Sequence, residues 1–217
     1  MIKQNLEKIC ADIADGAAKA GRKKEDVCLI CVTKEANSAD ILDAVANGAL
    51  HLGENRVKEA ELKYKALGEK VTWHMVGHLQ TNKVRDAVSI FSFIHSVDSM
   101  RLAQCIDKEA SRAGHVQNIL IEVNVSGEAS KFGITPDQLG GMLESMKGLA
   151  NIHICGLMTV APYTDNAEDS RKYFIALREL RDKYGLKELS MGMTQDYAVA
   201  VEEGATMVRV GRAIFSK

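Results

Sequence analysis

The sequence has almost no excess charge, no long apolar run and no regular set of cysteines. Its 217 residues carry a formal net charge of −1, which excludes a strong long-range field for nucleic acid or anionic lipid. No apolar run reaches the length of a membrane span, and the first residues mix both charge signs, unlike a secretory signal peptide. We therefore expect no membrane segment and no nucleic-acid partner.

The cysteines and histidines also lack the spacings of disulfide frameworks and metal sites. The five cysteines are odd in number and scattered, which indicates free thiols and predicts a cytoplasmic protein. Cys28 and Cys31 form a C-x-x-C pair, but these positions face opposite sides of a strand. We interpret them as core residues rather than a redox pair. The histidines do not follow metal-ligand spacing, and we predict no metal site.

Apolar runs typical of strands alternate with stretches typical of helices along the whole chain. Ile2, Leu6, Ile9 and Ile13 recur at helical spacing and predict an amphipathic first helix. The strand-like runs that follow cover residues 27–33, 49–53, 71–76, 90–95, 118–124, 152–158, 188–191 and 206–210. No linker rich in proline, glycine or serine separates them, so we expect a single domain over residues 1–217.

These runs and the helices between them predict a fold of the α/β class. Eight βα units in a chain of this length favour a closed (β/α)8 TIM barrel. An open doubly wound sheet is the alternative, because the number of strands does not prove closure. Since little sequence follows the eighth run, we expect a very short last helix and an extra N-terminal helix that covers this side of the barrel.

Polar side chains follow the ends of most of the predicted strands. In a closed barrel these ends converge on one mouth, where active sites are built. Lys34 comes directly after the first run. It is either an ordinary lysine, solvated or in a salt bridge, or a nucleophile, and a phosphate site across the mouth favours the nucleophile. The residues at the strand ends are Lys34, Glu54, Asn55, His78, Asp98, Asn124, Met158, Ser190, Met191, Arg209 and Gly211.

The two loops after the last strands have the composition of a phosphate site. Gly192 and Gly211 let backbone N–H groups approach phosphate oxygens, and Thr194 and Arg212 add a hydroxyl and a guanidinium. Loops seven and eight of barrels commonly bind phosphate, although tight turns and a helix cap explain the same residues without a ligand. A lysine beside a phosphate site favours Schiff-base chemistry with either a sugar phosphate or pyridoxal 5′-phosphate.

Other polar residues carry weaker signals. His78 follows a glycine at a strand end and is expected either to contact a ligand or to bond to a carbonyl at the rim. We interpret His51 and His153 as packed residues within strands, because each alternates with apolar neighbours. The mixed charges of residues 58–65 are typical of a solvated helix face.

Taken together, these residues resemble the pyridoxal-phosphate-binding homeostasis proteins. The resemblance follows the family order over nearly the whole chain. The matching segments are Val32–Lys34, Gly53–Arg56, Trp73–Lys83, His95–Ser99, Glu122–Gly133, Gly156–Met158, Leu189–Met193 and Val208–Gly211.

The resemblance implies a barrel like the N-terminal domain of alanine racemases, with pyridoxal 5′-phosphate held as a Schiff base on Lys34. It also implies that Arg209 faces the pyridine nitrogen. The residues implied at the phosphate are Thr194, Gly211 and Arg212. The other residues implied to line the cofactor pocket are Asn55, His78, Met158 and Ser190.

The sequence departs from the family pattern at three places. Thr194 stands where the family usually has serine, which keeps the hydroxyl. Arg212 stands where threonine is common, so the family pattern carries over the backbone contacts with phosphate at this position but not a side-chain contact. Ser216–Lys217 replaces the usual C-terminal glycine and tail, which predicts a truncated last helix. Lys131, in a family segment, is expected close to the pocket, where it could assist cofactor transfer.

The resemblance implies a protein of vitamin B6 and amino-acid homeostasis with no catalytic residue. An arginine opposite the pyridine nitrogen disfavours its protonation and weakens the ring as an electron sink. The resemblance implies that a racemase needs a second base from a C-terminal domain, and we expect no such domain here because little sequence follows the eighth run. We therefore expect a monomeric carrier that delivers the cofactor to apo forms of pyridoxal-phosphate enzymes. The alternative is a small pyridoxal-phosphate-dependent amino-acid racemase or a Schiff-base aldolase.

Overall fold

Eight parallel strands pair in chain order and close on themselves. The computed structural model describes residues 1–216, and β1 pairs with β8 to complete the barrel. The predicted (β/α)8 barrel is therefore confirmed, and the open sheet is excluded. The strands are β1 (Cys28–Val32), β2 (His51–Glu54), β3 (Thr72–Met75), β4 (Phe93–Val97), β5 (Gln117–Glu122), β6 (Ile152–Met158), β7 (Glu188–Ser190) and β8 (Met207–Val210).

Helices surround the barrel, and several of them follow a short 3₁₀ turn. The α-helices are α1 (Ile2–Lys19), α2 (Ser38–Ala46), α3 (Val57–Leu67), α4 (Val84–Val88), α5 (Met100–Ala113), α6 (Leu139–Met146), α7 (Arg171–Lys183), α8 (Tyr197–Glu202) and α9 (Arg212–Phe215). The 3₁₀ turns are Lys24–Asp26, Gly68–Lys70, Thr81–Lys83, Pro136–Gln138 and Ala167–Ser170. Within residues 1–216, no helix combines the length and the apolar composition needed to cross a bilayer.

Strand alternation divides the apolar residues into two clusters. The smaller cluster fills the barrel and includes Ile30, Leu120 and Met158. The larger one packs the outer faces of the strands against the helices. Cys28 contacts the inner cluster and Cys31 belongs to the outer one, so the two cysteines face opposite sides as predicted.

Helix α1 covers the side of the barrel where the last helices lie. Its predicted apolar stripe is buried. The side chain of Asn5 donates to the carbonyl of Ile214 at 3.0 Å, and the Tyr197 hydroxyl donates to Asp12 at 2.5 Å. The closing helix α9 has four residues, as the sequence predicted. The extra N-terminal helix therefore completes the layer where α9 is too short to do so.

Two local predictions were wrong. The fourth strand begins at Phe93 rather than residue 90, because Phe91 donates its backbone N–H to Ala87 at 2.9 Å and so remains part of the turn that ends α4. His153 is exposed and not packed, since β6 is buried on both faces only from Cys155 onward.

Gly156 allows β6 and β7 to pair closely, and replacing it with alanine tests this constraint. An added Cβ would lie 1.9 Å from the Glu188 carbonyl oxygen, so Gly156→Ala must separate the strands. We expect the free energy of unfolding, measured in urea, to fall by about 3 kcal/mol. Gly141→Ala is the matched control, since Gly141 lies in α6 with open space around it. It should raise stability by roughly 0.5–1 kcal/mol, and equal effects of the two variants would contradict the account.

Candidate functional site

A cleft of about 760 Å³ opens at the mouth formed by the C-terminal ends of the strands. Its volume lies within the range of small-molecule sites. Most of the residues predicted for a ligand site are brought together here, and Lys131 joins them. The predicted residues on its wall are Lys34, Asn55, Thr194, Arg209, Gly211 and Arg212.

Three predicted residues do not line this cleft. Met158 lies in the barrel interior and Ser190 is fully buried, where it contacts Arg209. His78 lines a neighbouring depression, with its Nδ1 atom 3.4 Å from Asp98 and its ring stacked on Phe132 at 4.0 Å between centroids. The cofactor contacts predicted for these three side chains stay predictions.

Lys34 stands at the rim of the cleft just beyond β1. Its side chain is 46% exposed, and its Nζ atom lies 3.7 Å from the carboxylate of Glu35. Strand β1 pairs with β8, so Lys34 lies beside the loop that begins at Gly211. The amine is accessible to a ligand and close to the region predicted to bind phosphate.

The backbone that precedes Lys34 is held from outside the barrel by a buried ion pair. Lys63 donates to the carbonyl oxygen of Thr33 at 2.7 Å and to the carboxylate of Glu54 at 2.6 Å. The Thr33 hydroxyl also donates to Glu54, which is completely buried. Two predictions were therefore wrong. Glu54 does not face the mouth, and Lys63, only 16% exposed, is not part of a solvated helix face.

Arg209 places a guanidinium in the floor of the cleft. It is 4% exposed and donates to the Ser190 hydroxyl and, at 2.8 Å, to the carbonyl of Thr159. Burial lowers the pKa of Arg209 to about 10, which leaves the side chain protonated at neutral pH. The site therefore holds a fixed positive charge that can donate hydrogen bonds and cannot accept them.

A line of three histidines runs from Ser190 through the barrel interior. Nδ1 of His95 lies 2.8 Å from the Ser190 hydroxyl, His95 lies 3.0 Å from His74, and His74 lies 3.0 Å from His51. Burial lowers the pKa of His74 to about 3 and that of His95 well below its ordinary value, so both rings are neutral. This line was not predicted from the sequence. Its signal was a histidine at an inward position on three consecutive strands.

Glu122, at the end of β5, is a second feature that sequence reasoning missed. Burial raises the pKa of its carboxyl group to about 7, while the charge of Arg209 acts in the opposite direction. This carboxyl group therefore titrates near neutral pH close to the floor of the cleft. A single acidic residue in a strand gives no sequence signal of such an environment.

The loops after β7 and β8 supply hydrogen-bond donors to the cleft. Asp196, not Thr194, closes the turn before α8, because its carboxylate accepts from the Met193 backbone N–H at 2.7 Å. Within residues 1–216 the Thr194 hydroxyl makes no hydrogen bond, and the N–H groups of residues 211–213 reach no acceptor. Gly192 has a φ of +90°, and a Cβ there would lie 2.5 Å from Ala200. The tight turn therefore explains why glycine is needed at position 192. The unpaired hydroxyl and N–H groups, in contrast, are donors that fit a phosphate.

The loop after β5 reaches across the mouth. Lys131 donates to the carbonyl of Val160 at 3.0 Å and lies 3.6 Å from Glu128, while Phe132 stacks on His78 beside β3. Burial lowers the pKa of Lys131. The expected position of Lys131 beside the pocket agrees with the structure. Its part in cofactor transfer stays a prediction.

The donors present fit an anionic ligand that also carries a carbonyl group. Free backbone N–H groups, the Thr194 hydroxyl and the Arg212 guanidinium can hold a phosphate. The Lys34 amine can react with a carbonyl carbon, and Arg209 can donate to a ligand atom in the floor. Among residues 1–216, no cluster of three or more histidine, cysteine or carboxylate side chains could hold a metal ion.

Comparison with known proteins identifies relatives over the full length of the chain. A profile of the alanine racemase N-terminal domain family matches residues 5–217. A pyridoxal phosphate homeostasis protein of Aquifex aeolicus is 41% identical over 99% of this chain and 97% of its own length. One from Pseudomonas aeruginosa is 38% identical over 99% and 94%, respectively. The family resemblance seen in the sequence is confirmed.

Solved structures show the same architecture. PipY of Synechococcus elongatus, in a structure with pyridoxal phosphate bound, superposes with a TM-score of 0.85 at 34% identity over the whole of both chains. An alanine racemase of Clostridium difficile has a TM-score of 0.74 at 15% identity, covering all of this chain and 56% of the racemase. This second likeness shows the shared fold alone.

We expect the stability of the folded chain to fall as the pH drops below about 6.5. Unfolded histidine protonates near that pH, whereas folded His74 and His95 stay neutral, so the unfolded state binds up to two more protons. Glu122 opposes this, because in the folded state it binds its proton near pH 7. The net difference is about one proton, or roughly 1.4 kcal/mol per pH unit between about pH 6 and 5.

Urea unfolding at a series of pH values measures this slope. Glu122→Gln removes the opposing group and should steepen the slope toward roughly 2.7 kcal/mol per pH unit, the value for two protons. A free energy of unfolding that is constant or rises as the pH falls would contradict the neutral state of the buried histidines.

We also expect Lys63→Met to destabilise the fold by roughly 3 kcal/mol, because it leaves the Glu54 carboxylate buried without its cation. Adding Glu54→Gln to this variant should recover part of the loss. Lys65→Met, at an exposed position of the same helix, should change stability by less than about 0.5 kcal/mol. Urea unfolding of the four proteins checks this, and similar effects of the two lysine variants would show that the ion pair is not structural.

Proposed function

The chain belongs to the alanine racemase N-terminal domain family and, within it, to the pyridoxal phosphate homeostasis proteins, and from this premise we propose that it binds pyridoxal 5′-phosphate in the cleft beside Lys34. Its function is then to hold and deliver this cofactor in vitamin B6 and amino-acid homeostasis. The observation that carries the proposal is the cleft itself, where an accessible lysine, a buried arginine and free backbone donors meet. The PipY structure with the cofactor bound supports it.

Each part of the cleft has a separate task in this proposal. Thr194, Arg212 and the free N–H groups after Gly211 hold the phosphate. Lys34 holds the carbonyl end, and Arg209 donates to the ring nitrogen. When bound, pyridoxal phosphate supplies an aldehyde that reacts with amines and a ring that withdraws electrons. The Glu54–Lys63 pair keeps the backbone at Thr33 fixed, so the lysine starts from a constant position.

The same geometry favours a carrier over an enzyme. Arg209 is protonated and can only donate a hydrogen bond, so it would favour a ring nitrogen that accepts this bond and carries no proton, and such a ring would withdraw electrons weakly. The site therefore suits storage of the cofactor better than carbanion chemistry. A small racemase is the second candidate, because the barrel is shared with alanine racemase. Exchange of the α-hydrogen of alanine or serine in heavy water, catalysed by the holo protein, would favour the racemase.

The proposal extends to partners and compartment. The half-exposed Lys34 lies at an open rim, which suits direct transfer of the cofactor to the apo form of a pyridoxal-phosphate enzyme. The five free thiols support a cytoplasmic location. We also propose a monomer, and sedimentation velocity of the holo protein measures its size.

Borohydride reduction followed by peptide mass mapping tests the proposal. We expect reduction of the protein with added pyridoxal phosphate to leave one pyridoxyl group on Lys34, and Lys34→Ala to lower labelling roughly tenfold or more, because within residues 1–216 no other amine stands at that point of the rim. Lys131→Ala is the matched control, since Lys131 lines the same cleft and its loss should leave the label in place. Label on Lys131, or no label in the unaltered protein, would refute the proposal.

A further inference from the structure

The histidine line ends on Ser190, the buried residue that contacts Arg209 in the floor of the cleft. His95 contacts the Ser190 hydroxyl, which in turn accepts a hydrogen bond from Arg209. We propose that His95, supported by His74 and His51, is a positioning residue that orients the Ser190 hydroxyl and thereby fixes Arg209 in the floor. This inference deepens the proposed function. Its test by cofactor binding rests on that function, whereas its test by NMR does not.

The direction of the hydrogen bonds follows from Arg209. A guanidinium has only donors, so the Ser190 oxygen must accept from it. The single proton of that hydroxyl then points to the next partner, Nδ1 of His95, at 2.8 Å. This assignment makes Nδ1 of His95 an unprotonated acceptor and places the ring proton on Nε2. In the opposite direction Ser190 would accept twice, and its proton would meet no acceptor within residues 1–216.

The same assignment propagates along the line. Nε2–H of His95 donates to Nδ1 of His74, and Nε2–H of His74 donates to Nδ1 of His51, both at 3.0 Å. Every contact then has one donor and one acceptor, and all three rings are neutral. His74 also stacks on Phe93 with an interplanar angle of 6° and a centroid distance of 4.9 Å, which holds its plane. Reversing one ring would therefore require reversing the whole line.

The line spans the barrel from one opening to the other. His51 is only partly buried and borders a depression at the N-terminal end of the strands, next to Cys28 and Glu188. His74, at the inner wall of this depression, and His95 are fully buried on the way to Ser190. Reversing the line would make the Ser190 oxygen accept from both His95 and Arg209 and leave the Ser190 proton without an acceptor within residues 1–216, so the Thr159 carbonyl would be the better anchor of Arg209.

Nitrogen-15 NMR of the histidine rings tests the assignment without any cofactor. We expect His51, His74 and His95 to be neutral at pH 7 with the proton on Nε2, and His153→Gln serves as the control that removes a signal from outside the line. Single substitutions of the other histidines assign the remaining signals. A proton on Nδ1 of His95, or a charged ring in the line, would overturn the inference whether or not the chain binds pyridoxal phosphate.

A pair of substitutions tests the positioning role. His95→Leu removes the ring nitrogen that accepts the Ser190 proton. We expect this change to weaken pyridoxal phosphate binding roughly tenfold, the effect of losing one good hydrogen bond. His95→Asn should restore most of the affinity, because its side-chain oxygen lies as many bonds from the backbone as Nδ1. Wild-type affinity in His95→Leu, or equal losses in both folded variants, would overturn the proposal.

The two proposals fail in distinguishable ways. If the unaltered protein binds no pyridoxal phosphate, the proposed function fails and the NMR result alone decides on the histidine line. If the unaltered protein binds the cofactor and His95→Leu binds it equally well, the positioning role fails and the proposed function stands. If His95→Leu does not fold, as judged by circular dichroism, the ring assignment by NMR remains the deciding measurement.

Discussion

The pairing of β1 with β8 is the constraint on which the candidate site depends. It sets Cys31 beside Val210, so the residues that follow each strand emerge at the same point of the rim. Lys34 and Gly211 thereby become neighbours although most of the chain lies between them. In an open sheet with this strand order they would lie on opposite edges, and no single ligand could reach both. Closure of the barrel is therefore what brings the amine next to the loop proposed to bind phosphate.

The polar barrel interior is the second constraint, because buried polar groups need partners. Arg209 is satisfied by one hydroxyl and one carbonyl, and the hydroxyl is satisfied by a histidine. The three histidines then satisfy one another as neutral rings, so among the described residues 1–216 the barrel interior carries a single fixed cation. Glu122 lies near that cation and titrates near neutral pH. The electrostatics of the cleft thus follow from a network that extends through the whole barrel.

Much of the site could be predicted from the sequence, because strand ends follow from apolar runs and a closed barrel brings those ends together. Lys34 and Gly211 were found in this way. The histidine line could not be found so easily, since His51 and His74 each look like ordinary packed residues within their own strands. Only the pairing of the strands aligns them. The burial of Lys63 was not predicted, because mixed charges along a helix indicate only that its face is solvated on average. They do not show which single lysine turns inward to a buried carboxylate.

The measurement that tests the account most directly is a crystal structure of the chain grown with pyridoxal phosphate. The account predicts continuous density from Lys34 to the cofactor, with the phosphate on the N–H groups of residues 211–213 and Arg209 next to the ring nitrogen. Density for the cofactor attached to another lysine, or a phosphate bound away from the loops after β7 and β8, would contradict the central claim.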